Sequence, residues 1–187
     1  TDMVYSNTLA HDSGVKNAHI FVGTESKLTD VFGARDGTAQ TFLECFQDHV
    51  RFQGAPTKLV GDAAHIYKSW PLMRYLRDIF IPQWQCKMHY QHQNPAEQRF
   101  EVVKRLTNRT LAKYNVPSKF WLLCMTYAAF VLNHTVDLNL AGGTMTPSTM
   151  VTFQVIDISP MLCFHFWEPV YFLLDKKEQH FPSMTKE

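Results

Sequence analysis

The spacing of apolar residues changes part-way along this chain, and that change limits the folds open to it. Short β-rich runs at residues 3–5, 18–23 and 29–33 are separated by glycines, which predicts an antiparallel meander of three strands. Within residues 39–50, apolar side chains recur at intervals of three and four, which predicts an amphipathic helix. A chain with both patterns belongs to the mixed α and β classes.

The rest of the chain alternates further strands with helices. Asp36 or Thr38 is the expected cap of the first helix, and Ser118 is the expected cap of the last. A strand–helix–strand order favours a parallel return to the same sheet. The sequence therefore predicts an α/β domain whose five-stranded mixed sheet carries helices on both faces. The later elements are strands 58–60 and 81–86 and helices 69–80, 95–114 and 118–133, followed by a mostly irregular tail with one β-rich run at 168–172.

Composition sets outer limits on the class of protein. The chain has 187 residues and is 45% hydrophobic, which is enough for one domain with a substantial core. Its net charge of +1 weighs against a stand-alone nucleic-acid-binding module, because such modules are commonly strongly basic. No apolar run reaches the roughly 20 residues that a membrane span needs, so no membrane association is expected. No secretory leader is visible, and the abrupt start at Thr1 suggests a fragment of a longer polyprotein.

The cysteines and histidines do not form a recognisable metal motif. No pair of cysteines has the C-x2-C spacing of a zinc site, so no zinc is expected. Buried, reduced thiols are the preferred interpretation. His89 and His92 resemble half of a metal site, but ordinary loop histidines explain them better. The cysteines are Cys45, Cys86, Cys124 and Cys163.

Three acidic residues stand where predicted elements begin or end. Asp62 follows a strand, Glu97 lies in the first turn of a helix, and Asp2 begins the first strand. Carboxylates so placed can bind Mg²⁺ or Mn²⁺, and two such ions about 4 Å apart can promote phosphoryl transfer. Each acid also has a simpler explanation, since Asp is common in turns and an acid suits a helix N-terminus. Spacing alone leaves both explanations open.

The predicted helix 95–114 has two distinct faces. Its core face is expected to include Phe100, Val103 and Thr107, while Lys104 and Arg105 lie on a polar face together with Glu97. The polar face is either a phosphate-binding surface or an ordinary solvated one.

Several motifs in order resemble the catalytic core of retrovirus-type integrases, in the copia-retrotransposon branch. In that family an Asp on the first strand, an Asp after the fourth strand and a Glu opening a long helix form the catalytic triad, with about 35 residues between the last two. Here Asp2, Asp62 and Glu97 match, and Asp62 and Glu97 are 35 positions apart. Further matches are the Pro-x-x-x-Trp of Pro117–Trp121, the Asn-x-Thr of Asn133–Thr135, Thr146-Pro147-Ser148, and the tail segments 157–160 and 166–171.

The chain also departs from the family pattern. Asp62 is followed by Ala63-Ala64, where Asn-Gly or Gly-Ala is common, and Pro95 replaces the usual Gly, Arg or Lys. Met3 stands where Thr is frequent, and Thr149 where Glu is expected. No departure removes one of the three acids.

The resemblance implies a ribonuclease-H-like fold and a polynucleotidyl transferase with endonuclease activity. Such an enzyme trims the 3′ ends of element DNA and joins them to chromosomal DNA, with two Mg²⁺ or Mn²⁺ ions held by Asp2, Asp62 and Glu97. Its partners would be element ends, target DNA and further copies of itself, in the nucleus or in a cytoplasmic virus-like particle before nuclear entry. The expected core is residues 1–140, with 141–187 as a C-terminal extension. The expected DNA contacts are Lys104, Arg105, Gln93 and Asn94.

Two alternatives stay open at this point. A degenerate core that no longer catalyses, and instead binds nucleic acid or protein, would explain the altered Asp62 loop and the near-neutral charge. A ribonuclease H shares the fold, but the Pro-x-x-x-Trp and Asp-Ile-Ser-Pro segments argue against it.

Overall fold

The computed structural model describes residues 1–61, 65–85 and 95–170, and the side chains of Pro95, Pro160 and Met161 are not described. Its first three strands form an antiparallel sheet in the order β1-β2-β3, and β4 pairs with β5 in parallel. The strands are β1 (Asp2–Tyr5), β2 (Asn17–Val22), β3 (Thr29–Ala34), β4 (Leu59–Gly61) and β5 (Gln83–Gln85), and the α-helices are α1 (Ala39–Gln53), α2 (Trp70–Asp78), α3 (Pro95–Lys113), α4 (Trp121–Asn133) and α5 (Pro147–Thr152).

Helices cover both faces of the antiparallel sheet, as predicted. Because side chains alternate along a strand, Ile20 faces one side and Phe21 faces the other. Phe21 packs with the buried residues Phe42 and Phe46 of α1, in a cluster that also includes side chains of α2 and β4. Ile20 packs with Val103 of α3 and with several side chains of α4. The sheet is therefore the middle layer between α1–α2 and α3–α4.

The two sheets meet at the start of β1. The amino group of Thr1 donates a hydrogen bond to the carbonyl oxygen of Val60 in β4 over 2.8 Å. The described residues thus form a three-stranded sheet and a parallel pair joined at this edge, and the single five-stranded sheet that was predicted is not confirmed. The parallel return predicted around α1, from β3 to β4, is not confirmed, because β4 lies in the other sheet, where it pairs in parallel with β5 after α2.

The start of the fourth helix differs from the prediction, whereas the start of the first agrees with it. Ser118 was the expected cap of the fourth helix, but it begins a 3₁₀ turn over Ser118–Phe120, and α4 begins only at Trp121. Pro117, which precedes this turn, has no backbone N–H to donate. Neither Ser118 nor Phe120 caps the helix with its side chain. Thr38 caps α1 as predicted, because its hydroxyl accepts a hydrogen bond from the Thr41 amide.

The described residues after α4 include a short α-helix, α5, and a 3₁₀ turn at Ser159–Leu162, neither of which the sequence predicted. Helix α5 is capped by the Thr146 hydroxyl, and its first residues, Pro147 and Ser148, are buried where α5 meets α4. Residues 168–170 form no strand, and the remainder of that predicted run lies outside the described residues. The proposed boundary at residue 140 stays a prediction. None of the helices in the described ranges is long and apolar enough to cross a bilayer.

Candidate active site

Asp2 lies at the edge of the antiparallel sheet, on the face that α3 and α4 cover. It pairs with Ile20 across β1 and β2, so its side chain projects to the same side as that core residue. One carboxylate oxygen of Asp2 accepts a hydrogen bond from the backbone amide of Met3 over 2.8 Å. Helix α3 contacts both β1 and β2, and the Asp2 edge therefore adjoins the helix that carries Glu97.

Asp62 lies outside the described residues, but the strand that leads to it is well defined. Gly61, its direct neighbour, is buried with its backbone against the Tyr67 ring, and a β-carbon there would come within 3.2 Å of that ring. Val60, the next residue back, accepts the hydrogen bond from Thr1. The chain segments just before Asp2 and just before Asp62 are thus neighbours across the junction of the two sheets.

Glu97 lies in the first turn of α3, where the partial positive charge of the helix N-terminus favours a carboxylate. Its side chain is half-buried, while the preceding Ala96 is buried. The predicted faces of the helix are confirmed further along, because Val103 and Thr107 are buried and Lys104 is exposed. Within the described ranges no three Asp, Glu, His or Cys side chains form a metal-binding group, and Asp62 is not in those ranges. The triad therefore stays a prediction.

The thiols of the described residues are free, and two of the three are buried. Cys45 and Cys124 are buried, and burial raises the pKa of each thiol to about 11, which disfavours the thiolate that metals bind. Cys163 is exposed, so the expectation of buried thiols is wrong for this residue. It lies in the irregular segment after α5, where few elements are available to cover it. Cys86, His89 and His92 lie outside the described residues.

A basic surface follows the outer face of α3 beyond Glu97. Lys104 and Arg105, both predicted to contact DNA, are exposed there. The Lys104 ammonium lies 3.6 Å from a Glu101 carboxylate oxygen, an exposed pair that contributes little to stability. Arg109 extends the surface by one more turn, and its position four residues after Arg105 could have identified it from the sequence. The side chains lining this open depression are Glu101, Lys104, Arg105, Asn108, Arg109 and Ala112.

The other two predicted DNA contacts, Gln93 and Asn94, lie outside the described residues. They precede Pro95 directly, so they belong to the segment that enters α3 just before Glu97.

Comparison with known proteins identifies the fold. No protein-family model and no curated protein sequence matches the chain. The HTLV-2 integrase catalytic core domain, solved in complex with magnesium, superposes with a TM-score of 0.60 at 18% identity over 81% of this chain and 91% of that one. The BIV integrase catalytic core domain gives a TM-score of 0.58 at 18% identity over 80% and 90%.

A larger assembly shows the same likeness. The intasome of simian T-cell lymphotropic virus, solved in complex with the PP2A regulatory subunit B56 gamma, contains a chain that matches with a TM-score of 0.66 at 14% identity. That match covers 100% of this chain and 58% of the other. The chain therefore has the ribonuclease-H-like α/β fold of retroviral integrase catalytic cores.

Proposed function

We propose that this chain is the catalytic core of a DNA integrase from the copia-retrotransposon branch. The observation that carries the proposal is the hydrogen bond from Thr1 to Val60, because it sets the strand bearing Asp2 beside the strand leading to Asp62. Helix α3, which bears Glu97 in its first turn, packs on the β1–β2 side of the same junction. The segments just before Asp2 and Asp62 and the helix that bears Glu97 thus adjoin, which supports the choice of these three acids by the family pattern.

The donor set suits a hard divalent cation. Asp2, Asp62 and Glu97 offer carboxylate oxygens, which Mg²⁺ and Mn²⁺ prefer, and no thiol of the described residues competes with them. Bound in pairs, such ions activate an attacking oxygen and stabilise the leaving oxygen of a phosphodiester. The protein's own contribution would be to hold the three carboxylates close together at the junction of the two sheets.

The basic surface of α3 would hold the DNA that reacts there. Lys104, Arg105 and Arg109 point to solvent along one helix face that begins near Glu97, and cationic side chains of this kind bind phosphates without reading sequence. Gln93 and Asn94 would contact the DNA from the segment entering the helix. This local concentration of positive charge would favour phosphate binding although the net charge of the chain is only +1.

Integration joins two DNA ends, so more than one copy of the chain would act together in the nucleus, or in a cytoplasmic virus-like particle before nuclear entry. Part of α4 is available for self-association, since Leu123 and Phe130 are each 43% exposed. Large exposed apolar side chains on one helix are typical of contact surfaces.

The decisive test is strand transfer of a pre-processed DNA end into a target duplex, measured with Mg²⁺. Glu97→Gln keeps the size of the side chain but removes its charge, and we expect the rate to fall by at least about 10³-fold, the order that loss of a group essential to the chemistry costs. Glu44→Gln removes an exposed carboxylate on α1, on the far side of the sheet, and should retain the wild-type rate. Equal rates in wild type and Glu97→Gln would disprove the assignment.

A second candidate function is a core that no longer catalyses and serves as a nucleic-acid- or protein-binding module. The near-neutral charge and the Ala63-Ala64 sequence after Asp62 favour it. Calorimetric titration with Mn²⁺ separates the two functions. Binding that disappears in Asp62→Asn favours the enzyme, whereas a folded wild-type protein that binds DNA but no Mn²⁺ favours the module.

A further inference from the structure

Arg99 lies two residues after Glu97 and is held by partners from distant parts of the chain. Its Nε donates to the Thr29 hydroxyl over 3.0 Å, and one terminal nitrogen lies 3.4 Å from the Lys27 carbonyl oxygen. The other terminal nitrogen lies 3.4 Å from an Asp137 carboxylate oxygen. The guanidinium thus joins the first turn of α3 to the start of β3 and to the loop after α4.

The partners of Arg99 are themselves fixed. Thr29 is buried, and its amide and carbonyl exchange two hydrogen bonds of 2.8 Å with the Asn133 side chain at the end of α4. The other oxygen of Asp137 accepts from the Asn139 amide, and that hydrogen bond is the largest of the causes that lower the pKa of the Asp137 carboxyl, so it stays ionised near neutral pH. The acceptors therefore hold one arrangement for Arg99.

Helix geometry gives this anchor a direct effect on Glu97. Successive residues advance about 100° around a helix, so residues two apart point in nearly opposite directions. Arg99 is directed at the core-side acceptors, with its side chain only 15% exposed, so Glu97, two residues earlier, lies on the nearly opposite side of the helix, which contacts β1 and β2. Fixing Arg99 fixes both the rotation and the depth of the first turn, and with them the direction of the Glu97 carboxylate.

The same anchor is tied to the strand that bears Asp2. Thr29 and Val31 lie on one face of β3, Val31 pairs with Ile20 of β2, and Ile20 pairs with Asp2 of β1. Arg99 thus fixes the position of Glu97 relative to the sheet that carries Asp2, and not relative to solvent-exposed loops.

We propose that Arg99 is a positioning residue, which aims the Glu97 carboxylate at the metal site by bridging α3 to Thr29 and Asp137. The inference rests on the proposed function, because it assigns Arg99 a role toward a ligand of that site. It assigns Arg99 no catalytic role, since the groups that the guanidinium contacts, on Thr29, Lys27 and Asp137, are not among the proposed metal ligands.

The test separates positioning from general stability by comparing two substitutions in α3. Arg99→Met removes the guanidinium but keeps an apolar stem of similar length. Val103→Ala opens a cavity at a fully buried position one turn later and touches none of the bridging groups. Mn²⁺ affinity is measured by calorimetry in the full chain, and hydrogen exchange of the 96–101 amides is measured without metal. Glu97→Gln is the control for loss of a ligand.

We expect Arg99→Met to weaken Mn²⁺ binding about tenfold, the lower end of what loss of a group supporting a metal ligand costs. The same substitution should speed hydrogen exchange of the 96–101 amides. The Mn²⁺ affinity of Arg99→Lys should lie between those of Arg99→Met and wild type. Lysine keeps the positive charge facing Asp137 but loses the planar guanidinium that binds several acceptors at once. Val103→Ala should melt at a lower temperature with Mn²⁺ affinity unchanged.

Two results would overturn the inference in distinguishable ways. Wild-type Mn²⁺ affinity in Arg99→Met, or an equal loss in Val103→Ala, would show that Arg99 only stabilises the fold. Unchanged affinity in Glu97→Gln would remove Glu97 from the metal site, and the positioning role of Arg99 would fall with it, whatever the exchange rates show.

Discussion

At the scale of single residues, His19 is the most unusual group in the core. It lies in the middle of β2 with 0% exposure, its ring meets Phe42 edge-on, and neither ring nitrogen has a hydrogen-bond partner within the described residues. Burial, helped by the nearby terminal ammonium, lowers the pKa of His19 from 6.5 to about 4. The folded protein therefore keeps this imidazole neutral where the unfolded chain would protonate it.

The pKa difference predicts acid-dependent loss of stability. Between pH 6.5 and pH 4 the unfolded state binds a proton at His19 that the folded state does not, so the free energy of unfolding falls as the pH drops through this window. The full loss would be about 3 kcal/mol, from about 1.4 kcal/mol per pKa unit. Denaturant titrations at several pH values measure it. Across this pH window, the free energy of unfolding of His19→Leu should fall by less than that of wild type, and the difference should equal that loss. The same pH dependence of the free energy of unfolding in both proteins would contradict the assignment.

Features of single residues could be predicted where they depend on neighbours in the sequence, and not where they depend on residues far away in the chain. The two faces of α3 follow from helical spacing, and exposed Lys104 and buried Val103 confirm them. Arg99 carries no such signal, because its partners Thr29 and Asp137 lie 70 and 38 positions away in the chain. Only the folded arrangement of three elements brings those groups together.

At the scale of elements, the end of α4 is joined to the start of β3 by one side chain. Asn133 satisfies both backbone groups of Thr29, which begins β3 beyond the hairpin turn from β2. An amide side chain can do this because it offers both a donor and an acceptor at the spacing of a peptide group. The Asn of the Asn-x-Thr motif thus has a structural task that the motif alone does not state.

Asn133→Ala should therefore destabilise the protein markedly. It leaves a buried amide and a buried carbonyl of Thr29 without these partners, at a cost of about 3 kcal/mol in the free energy of unfolding. Asn108→Ala, at an exposed position of α3, should change stability by no more than about 0.5 kcal/mol. Urea titrations of both variants measure the difference. Equal free energies of unfolding in Asn133→Ala and Asn108→Ala would mean that the two hydrogen bonds make no net contribution to stability.

Element boundaries were predictable where a single side chain decides them. The hydroxyl cap of Thr38 starts α1, and Gly54, at a backbone φ of 88°, ends it. Ser118 looked equally suitable, yet a 3₁₀ turn intervenes and its hydroxyl caps nothing. The local sequence does not distinguish a 3₁₀ start from an α-helical one, since the packing of Trp121 into the core helps fix where α4 begins.

At the scale of the whole molecule, element order predicted the layers but not the continuity of the sheet. Alternation of strands and helices is enough to place helices on both faces. Whether β4 joins β1 as a full strand pair depends on long-range hydrogen bonds, of which the Thr1–Val60 bond, just before β1, is one. No periodicity in the sequence reports such a contact.

A metal held at this junction should raise the melting temperature of the whole chain. A cation at 100 times its dissociation constant adds about 2.7 kcal/mol to the folded state, or roughly 5–10 °C for a protein of this size. Thermal melts with and without Mn²⁺ measure the shift. Asp62→Asn should abolish it, while Glu44→Gln should retain it. A shift that survives in Asp62→Asn would place the bound ion elsewhere.

The junction between the two sheets also has a mechanical consequence. Asp2 belongs to the three-stranded sheet, Asp62 follows the parallel pair, and Glu97 is carried by a helix anchored to the former. A cation bound by all three would therefore link the two sheets and α3 at one point. Movement of one sheet relative to the other would separate these ligands, so the metal would be released without unfolding of either sheet.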